Sequence, residues 1–221
     1  MKKTILAALA AGMAMVSAPA SAVTTVDGTA SGSTAGGPLA PVLFEELNPV
    51  TGQNVGVDPF DLPSLFFLRE RTNVTVGSLS SLVNLSADTV VDSFYILFDP
   101  ASTNPATTLF GEVVFGEEIL AIITDTDDLE DTDSAFGLNT VNYGTSDFRG
   151  LEGNDDASFV GNELTVEFVA TSPGDFIRVL TVAAPVPEPS TWLMLLLGFG
   201  LVGGALRAQR EKLGVQAKFA I

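Results

Sequence analysis

Two long apolar runs stand near the ends of the chain, and between them short apolar stretches recur among turn residues. Met1-Lys2-Lys3 leads into an apolar run from Ile5 to Val16, and Ser17-Ala18-Pro19-Ala20-Ser21-Ala22 follows. A charged start, a short apolar centre and a small-x-small exit predict a Sec-type signal helix over residues 1–22, with Ala20 and Ala22 marking the cleavage site. The second run, Thr191 to Leu206, follows Val186-Pro187-Glu188-Pro189-Ser190 and precedes Arg207, Arg210 and Lys212. Pro189 favours an extended Glu188, Ser190 suits a helix start, and Trp192 suits a membrane interface. The basic cluster stays cytoplasmic by the positive-inside rule. A helix over 191–206 spans about 24 Å against a hydrocarbon core of about 30 Å, so it predicts a short membrane anchor. Gly200-x-x-x-Gly204 would allow a second helix to approach it.

Between these runs the pattern is that of strands. Val, Ile, Phe and Leu cluster in short segments bounded by Pro, Gly, Asn and Asp, predicting strands at 64–68, 73–76, 90–98, 111–115, 119–124, 140–143, 163–170 and 175–182. Alternation is clearest where Leu164, Val166, Phe168 and Ala170 share one face. The last two strands, separated by Ser172-Pro173-Gly174, predict a hairpin. No helix-period run lies outside the two end segments. The expected fold is all-β: a two-sheet sandwich, jelly-roll-like, flanked by an N-terminal signal helix and a C-terminal hydrophobic helix. Residues 23–41, rich in Gly, Ser, Thr and Ala, read as a flexible lead with a short strand as the alternative. The acidic sandwich then occupies 42–184, the sorting segment 185–212 and a cytoplasmic tail 213–221.

Charge sharpens this division. The 221 residues carry a net charge of −17 yet a mean hydropathy of +0.37, a combination that separates once the apolar ends are set aside. Residues 23–187 hold 25 Asp and Glu against four Arg (Arg69, Arg71, Arg149 and Arg178), a net of −21. Such a surface makes nucleic acid a poor partner, because binding needs cations that displace counterions from phosphate. The chain has no His and no Cys, which excludes a Ser-His-Asp triad, a thiolate nucleophile, a disulfide framework and His- or Cys-ligated metal.

The order Pro-Glu-Pro, apolar helix, Arg cluster resembles the PEP-CTERM sorting signal of Gram-negative bacteria. The resemblance covers residues 186–212 and implies recognition by exosortase, a membrane transpeptidase that acts at Pro187, Glu188 and Pro189 after export. Arg207, Arg210 and Lys212 form its basic stop cluster. Segments of this kind also circulate as an ice-binding-protein C-terminal domain, which an apolar helix with a basic end does not support. The tail from Glu211 to Ile221 departs from the pattern, since such signals stop soon after the basic cluster. Phrases within the sandwich, among them Asp92 to Pro100 and Asp175 to Val179, resemble other exported PEP-CTERM domains. That likeness implies no activity.

Candidate chemistry in the sandwich is acidic. Asp125 to Asp133 holds six acids in nine residues, and Asp125, Asp127, Asp128, Asp131 and Asp133 are candidate Ca²⁺ ligands. The run lacks the glycine that an EF-hand loop needs, and a solvated acidic loop is the competing reading. Glu152 to Asp156 reads as a polar rim for sugar hydroxyls or as a loop paired with Arg149 through Glu152 or Asp155. Arg178 reads as a sheet-edge ion-pair member. Paired carboxylates suffice for glycoside hydrolysis, but the aromatic platforms sugars need are restricted to Tyr95, Tyr143 and phenylalanines. The expected product is a non-enzymatic surface or extracellular-matrix protein associated with exopolysaccharide and needing no cofactor. A Ca²⁺- or polysaccharide-binding module is the alternative, and a carboxylate-based glycan hydrolase stands behind both.

Overall fold

The computed structural model describes residues 25–34, 37–39, 42–101, 105–145, 149–185, 195–204 and 207. Val23–Ala184 forms one compact unit. Its elements run β1 (Val26–Thr34), β2 (Gly37–Leu39), β3 (Phe44–Leu47), β4 (Leu62–Arg69), β5 (Val74–Thr75), α1 (Ser80–Val83), β6 (Val90–Asp99), β7 (Thr107–Phe115), β8 (Ile119–Ile123), α2 (Thr126–Phe136), β9 (Asp156–Val160), β10 (Glu163–Ala170) and β11 (Asp175–Val182). Two sheets result, one of order β2-β1-β7-β10-β9 and one of order β3-β4-β6-β11-β8 with β5 also on β6. The expected all-β sandwich is the fold. Pairing is antiparallel throughout except for β3 on β4, which is parallel.

Burial separates two kinds of strand. In β7 and β10 alternate residues are buried, as expected for a sheet with one solvated face. In β6 and β11 nearly every residue is buried, because the second sheet is covered on both sides. Its inner face, with Phe94, Ile96, Phe98, Ile177 and Val179, packs against Leu109, Val113, Leu164, Val166 and Phe168 of the first sheet. Its outer face, with Phe66, Leu68, Tyr95, Leu97, Phe176 and Leu180, packs with Leu129 and Phe136 of α2, Val83 of α1, and Val55 and Tyr143 from loops. The sandwich therefore carries a third layer, built from α2 and the loops around it.

Four expectations need correction. Within the expected flexible lead 23–41, residues 26–34 and 37–39 are strands, the alternative reading: Val26 to Ser33 pairs residue for residue with Phe115 to Thr108 of β7. Small inward residues carry this strand, and the Phe44 ring lies against Gly28, where a Cβ would come within 2.9 Å of it. The predicted β10–β11 hairpin is instead a crossover between sheets, since β10 pairs with β7 and β9 while β11 pairs with β6 and β8. The predicted strand at 140–143 is reduced to a single bridge between Asn142 and Asn54. The acidic run is a helix, α2, whose Leu129, Thr132 and Phe136 are buried.

The other unit, Met1–Ala22 with Pro185–Ile221, is described only over residue 185, residues 195–204 and residue 207. Residues 195–204 are helical, and Leu195, Leu196, Leu197, Phe199, Leu201 and Val202 are exposed. Among the described residues no helix is long and apolar enough to cross a membrane. The predicted anchor 191–206 lies partly outside the described residues.

Candidate functional site

Asp and Thr are poor helix formers, yet α2 forms because each part of it is held. Asp125 precedes the helix in an extended conformation, and its carboxylate accepts the backbone N–H groups of Asp127 and Asp128. Asp127 and Asp128 lie in the first turn, where carboxylates favour the positive end of the helix dipole. Arg71 donates to the Ser134 and Ala135 carbonyls at 3.2 and 2.8 Å, placing a cation at the negative end. Of the five candidate Ca²⁺ ligands, Asp125 is thus the N-cap, while Asp133 faces inward onto two arginines. Among the described residues no three acids converge well enough to hold a metal. Burial and the charges of Asp125, Asp131 and Asp127 raise the Asp128 carboxyl.

Beneath α2 lies a polar network in the otherwise apolar third layer. Arg178 sits on β11 opposite Tyr95 of β6 and is fully buried. Its Nε and Nη2 donate to the two Glu70 oxygens at 2.7 and 2.8 Å. Nη2 also donates to Asp133 at 2.8 Å, and Nη1 to the Leu129 carbonyl and the Thr132 hydroxyl. All five guanidinium N–H groups are accounted for. Arg149, equally buried, forks onto Asp133 at 2.6 and 2.7 Å and donates through Nε to the Tyr95 hydroxyl at 2.7 Å. Tyr143 and Ser93 donate to Glu70, each at 2.6 Å. Both guanidinium groups also lie over the Tyr95 and Tyr143 rings, at 5.1 to 5.5 Å from the centroids.

Two arginines balance two carboxylates here, so the buried network is neutral. Burial disfavours each arginine's charge, but Asp133 on Arg149, and Glu70 with Asp133 on Arg178, outweigh it and hold both pKa values above the ordinary. Burial raises both tyrosines, and the Glu70 charge raises Tyr143 further. This corrects two sequence expectations. Arg149 pairs with Asp133 rather than Glu152 or Asp155, and Arg178 lies in an interior strand rather than at a sheet edge. Glu70, the hub, was not singled out. The available signal was Arg178 itself, a charge inside an apolar strand, which demands a buried partner.

With Tyr95 and Tyr143 buried, neither serves as a sugar platform. The exposed aromatic surface on the open face of the first sheet is Phe110, 48% exposed. It lines a shallow groove of about 350 Å³ together with Thr29, Ser31, Glu112 and Thr165.

The second acidic patch lies at one end of the sandwich. Asp155 binds the loop to β10, its Oδ1 accepting the Val169 N–H at 2.6 Å and its Oδ2 that of Glu152 at 2.7 Å. Glu152, Val169, Thr171, Ser172, Gly174 and Asp175 line a cavity of about 270 Å³ there. Asp175 is 5% exposed, and its Oδ2 has no hydrogen-bond partner. Burial first, then the Asp155 and Glu152 charges, push its carboxyl up to about 8. Asp99, on the neighbouring strand, is only half satisfied: Oδ2 accepts the Phe60 and Asp61 N–H groups at 2.6 and 3.2 Å, while Oδ1 has no hydrogen-bond partner.

Ala20, Ala22, Pro187, Glu188, Pro189, Arg210 and Lys212 lie outside the described residues. Residues 185–210 match the family described as the PEP-CTERM protein-sorting motif. No match to the chain was found among curated proteins or among solved structures. The chain carries a PEP-CTERM sorting motif, which marks an exported protein that exosortase processes after transient membrane anchoring.

Proposed function

Starting from a chain with a PEP-CTERM sorting motif, we propose that the mature product is a non-enzymatic surface or extracellular-matrix protein of a Gram-negative bacterium, associated with exopolysaccharide. Sec exports the chain, and cleavage after Ala22 frees the N-terminus. The apolar segment 191–206 holds the protein in the inner membrane with Arg207, Arg210 and Lys212 on the cytoplasmic side. Exosortase then acts at Pro187-Glu188-Pro189. The motif match at 185–210 carries this reading. The buried charges of the sandwich support a role without catalysis, because Glu70 and Asp133 are committed to Arg178 and Arg149 in a closed layer. Replacing Pro187, Glu188 and Pro189 with alanine should leave the full-length chain in the membrane fraction. Normal processing of that variant, read by mass spectrometry of the mature C-terminus, would refute the proposal.

The groove at Phe110 favours a second reading for the sandwich, a polysaccharide-binding module. An exposed ring flanked by the hydroxyls of Thr29, Ser31 and Thr165 and the Glu112 carboxylate offers a sugar both an apolar face and hydrogen-bond partners. The acidic surface suits a neutral rather than an anionic glycan.

A further inference from the structure

The acidic end of the sandwich holds negative charge that the protein leaves without a cation. Glu152 and Asp175 line one cavity, and no Lys or Arg is among the residues lining it. Asp175 is more than nine-tenths buried with an orphaned Oδ2, an arrangement that costs free energy unless a ligand completes it. Asp155 adds a further carboxylate nearby while both its oxygens hold backbone N–H groups. The Thr171–Gly174 turn, closed by a 2.8 Å hydrogen bond from the Gly174 N–H to the Thr171 carbonyl, lines the same cavity. It carries hydroxyl and carbonyl oxygens, of which the Ser172 hydroxyl donates to Asp58 Oδ1 at 2.7 Å and the Pro173 carbonyl accepts the Asp58 N–H, each keeping a lone pair.

We propose that this cavity binds a single Ca²⁺ ion through the Asp175 and Glu152 carboxylates. Every donor at hand is a hard oxygen, and two carboxylates leave most of the shell to hydroxyls, backbone carbonyls and water. Ca²⁺, with six to eight ligands in flexible geometry, accepts such a set, whereas Mg²⁺ demands a near-ideal octahedron. The ion ties the crossover between β10 and β11 to the loop before β9, and so closes the end of the sandwich. The site is separate from the acidic helix α2, whose run of carboxylates gave the sequence its Ca²⁺ candidate.

Calorimetric titration of CaCl₂ into the chelator-stripped full chain in detergent tests this. A one-to-one site with a dissociation constant of roughly 10⁻⁴–10⁻³ M is expected, the range of extracellular modules. Asp175→Asn should weaken it at least about tenfold, and Asp131→Asn, an exposed change on α2, should leave it unchanged. No uptake up to about 10 mM, well above that range, would overturn the proposal, as would equal affinity in Asp175→Asn or loss of binding in Asp131→Asn. Asp175→Asn is isosteric with the carboxyl, which burial already keeps largely neutral at pH 7, so in chelator it should melt no lower than the parent. A variant that fails to fold would mean that the carboxylate has a partner within the protein, and would overturn the site equally.

Discussion

The Arg178 guanidinium grips both oxygens of the Glu70 carboxylate across 108 positions of chain, at 2.7 and 2.8 Å, with neither side chain reaching solvent. This pair joins β11 to the residue that follows β4, and through Asp133, Leu129 and Thr132 it fastens α2 over the sheet. The exposed Arg69–Glu46 pair at 2.6 Å is a different case, since exposed pairs contribute about 0–1 kcal/mol.

Removing one partner of the buried pair leaves the other charged and dry. Arg178→Met should destabilise the sandwich by about 3–5 kcal/mol, and Arg178→Lys should not restore it, because an ammonium cannot reproduce the fork. Arg69→Met should cost under about 1 kcal/mol. Urea titration followed by far-ultraviolet circular dichroism gives the comparison. Equal losses at the two sites would show that the network does not hold the third layer.

Both tyrosines of the chain are in this layer, and burial raises both pKa values. The native state therefore keeps its phenol protons where the unfolded chain, with a pKa of about 10, releases them. Stability from this source is intact below about pH 10 and is lost as pH rises above it. Tyrosinate absorbance at alkaline pH should appear together with the loss of β-sheet signal. Absorbance that rises while the fold persists would mean that the hydroxyls reach solvent.

Asp125 begins α2 by accepting two backbone N–H groups. Asp125→Ala should cost about 1 kcal/mol, whereas Asp125→Asn should cost less, since an amide oxygen still accepts. Denaturant midpoints of the two variants decide whether the acid acts as a cap or only as a charge.

Gly174 has a φ of +89°, and a Cβ there would collide with the Phe98 carbonyl. Gly174→Ala should destabilise by more than about 1 kcal/mol. Thermal melting of the variant is the measurement, and an unchanged midpoint would require the crossover to have shifted.

Phe110 is exposed on the first sheet. Phe110→Ala should leave stability within about 0.5 kcal/mol while reducing retention on neutral glycan arrays. Unchanged retention would remove the groove from the polysaccharide-binding reading.

The strands that sequence located best are those with strong apolar content: β10 and β11 match their predicted spans, and β6 and β7 differ from theirs by extensions at one end. Strand β1 was hidden because Gly28, Ala30 and Gly32 have the composition of a linker. Its pairing with β7 is a property of the backbone, and small side chains leave room for Phe44. Helix α2 was hidden for the opposite reason. Its sequence favours solvent, and its partners Arg71 and Arg178 lie 64 and 45 positions from the residues they hold.

Sequence by itself determined the acidity and the sorting motif at 185–210, because a sorting segment acts as a contiguous stretch read by local polarity. It also determined the sandwich, because period-two alternation is local. Tertiary structure alone decided that the second sheet is covered on both faces and that the acidic run is a helix. It alone brought Glu70, Asp133, Arg149 and Arg178 into one neutral network, since such partners meet only when the strands that carry them are paired. The same holds at the far end, where Glu152 and Asp175 come to line one cavity only when β10 crosses to the other sheet.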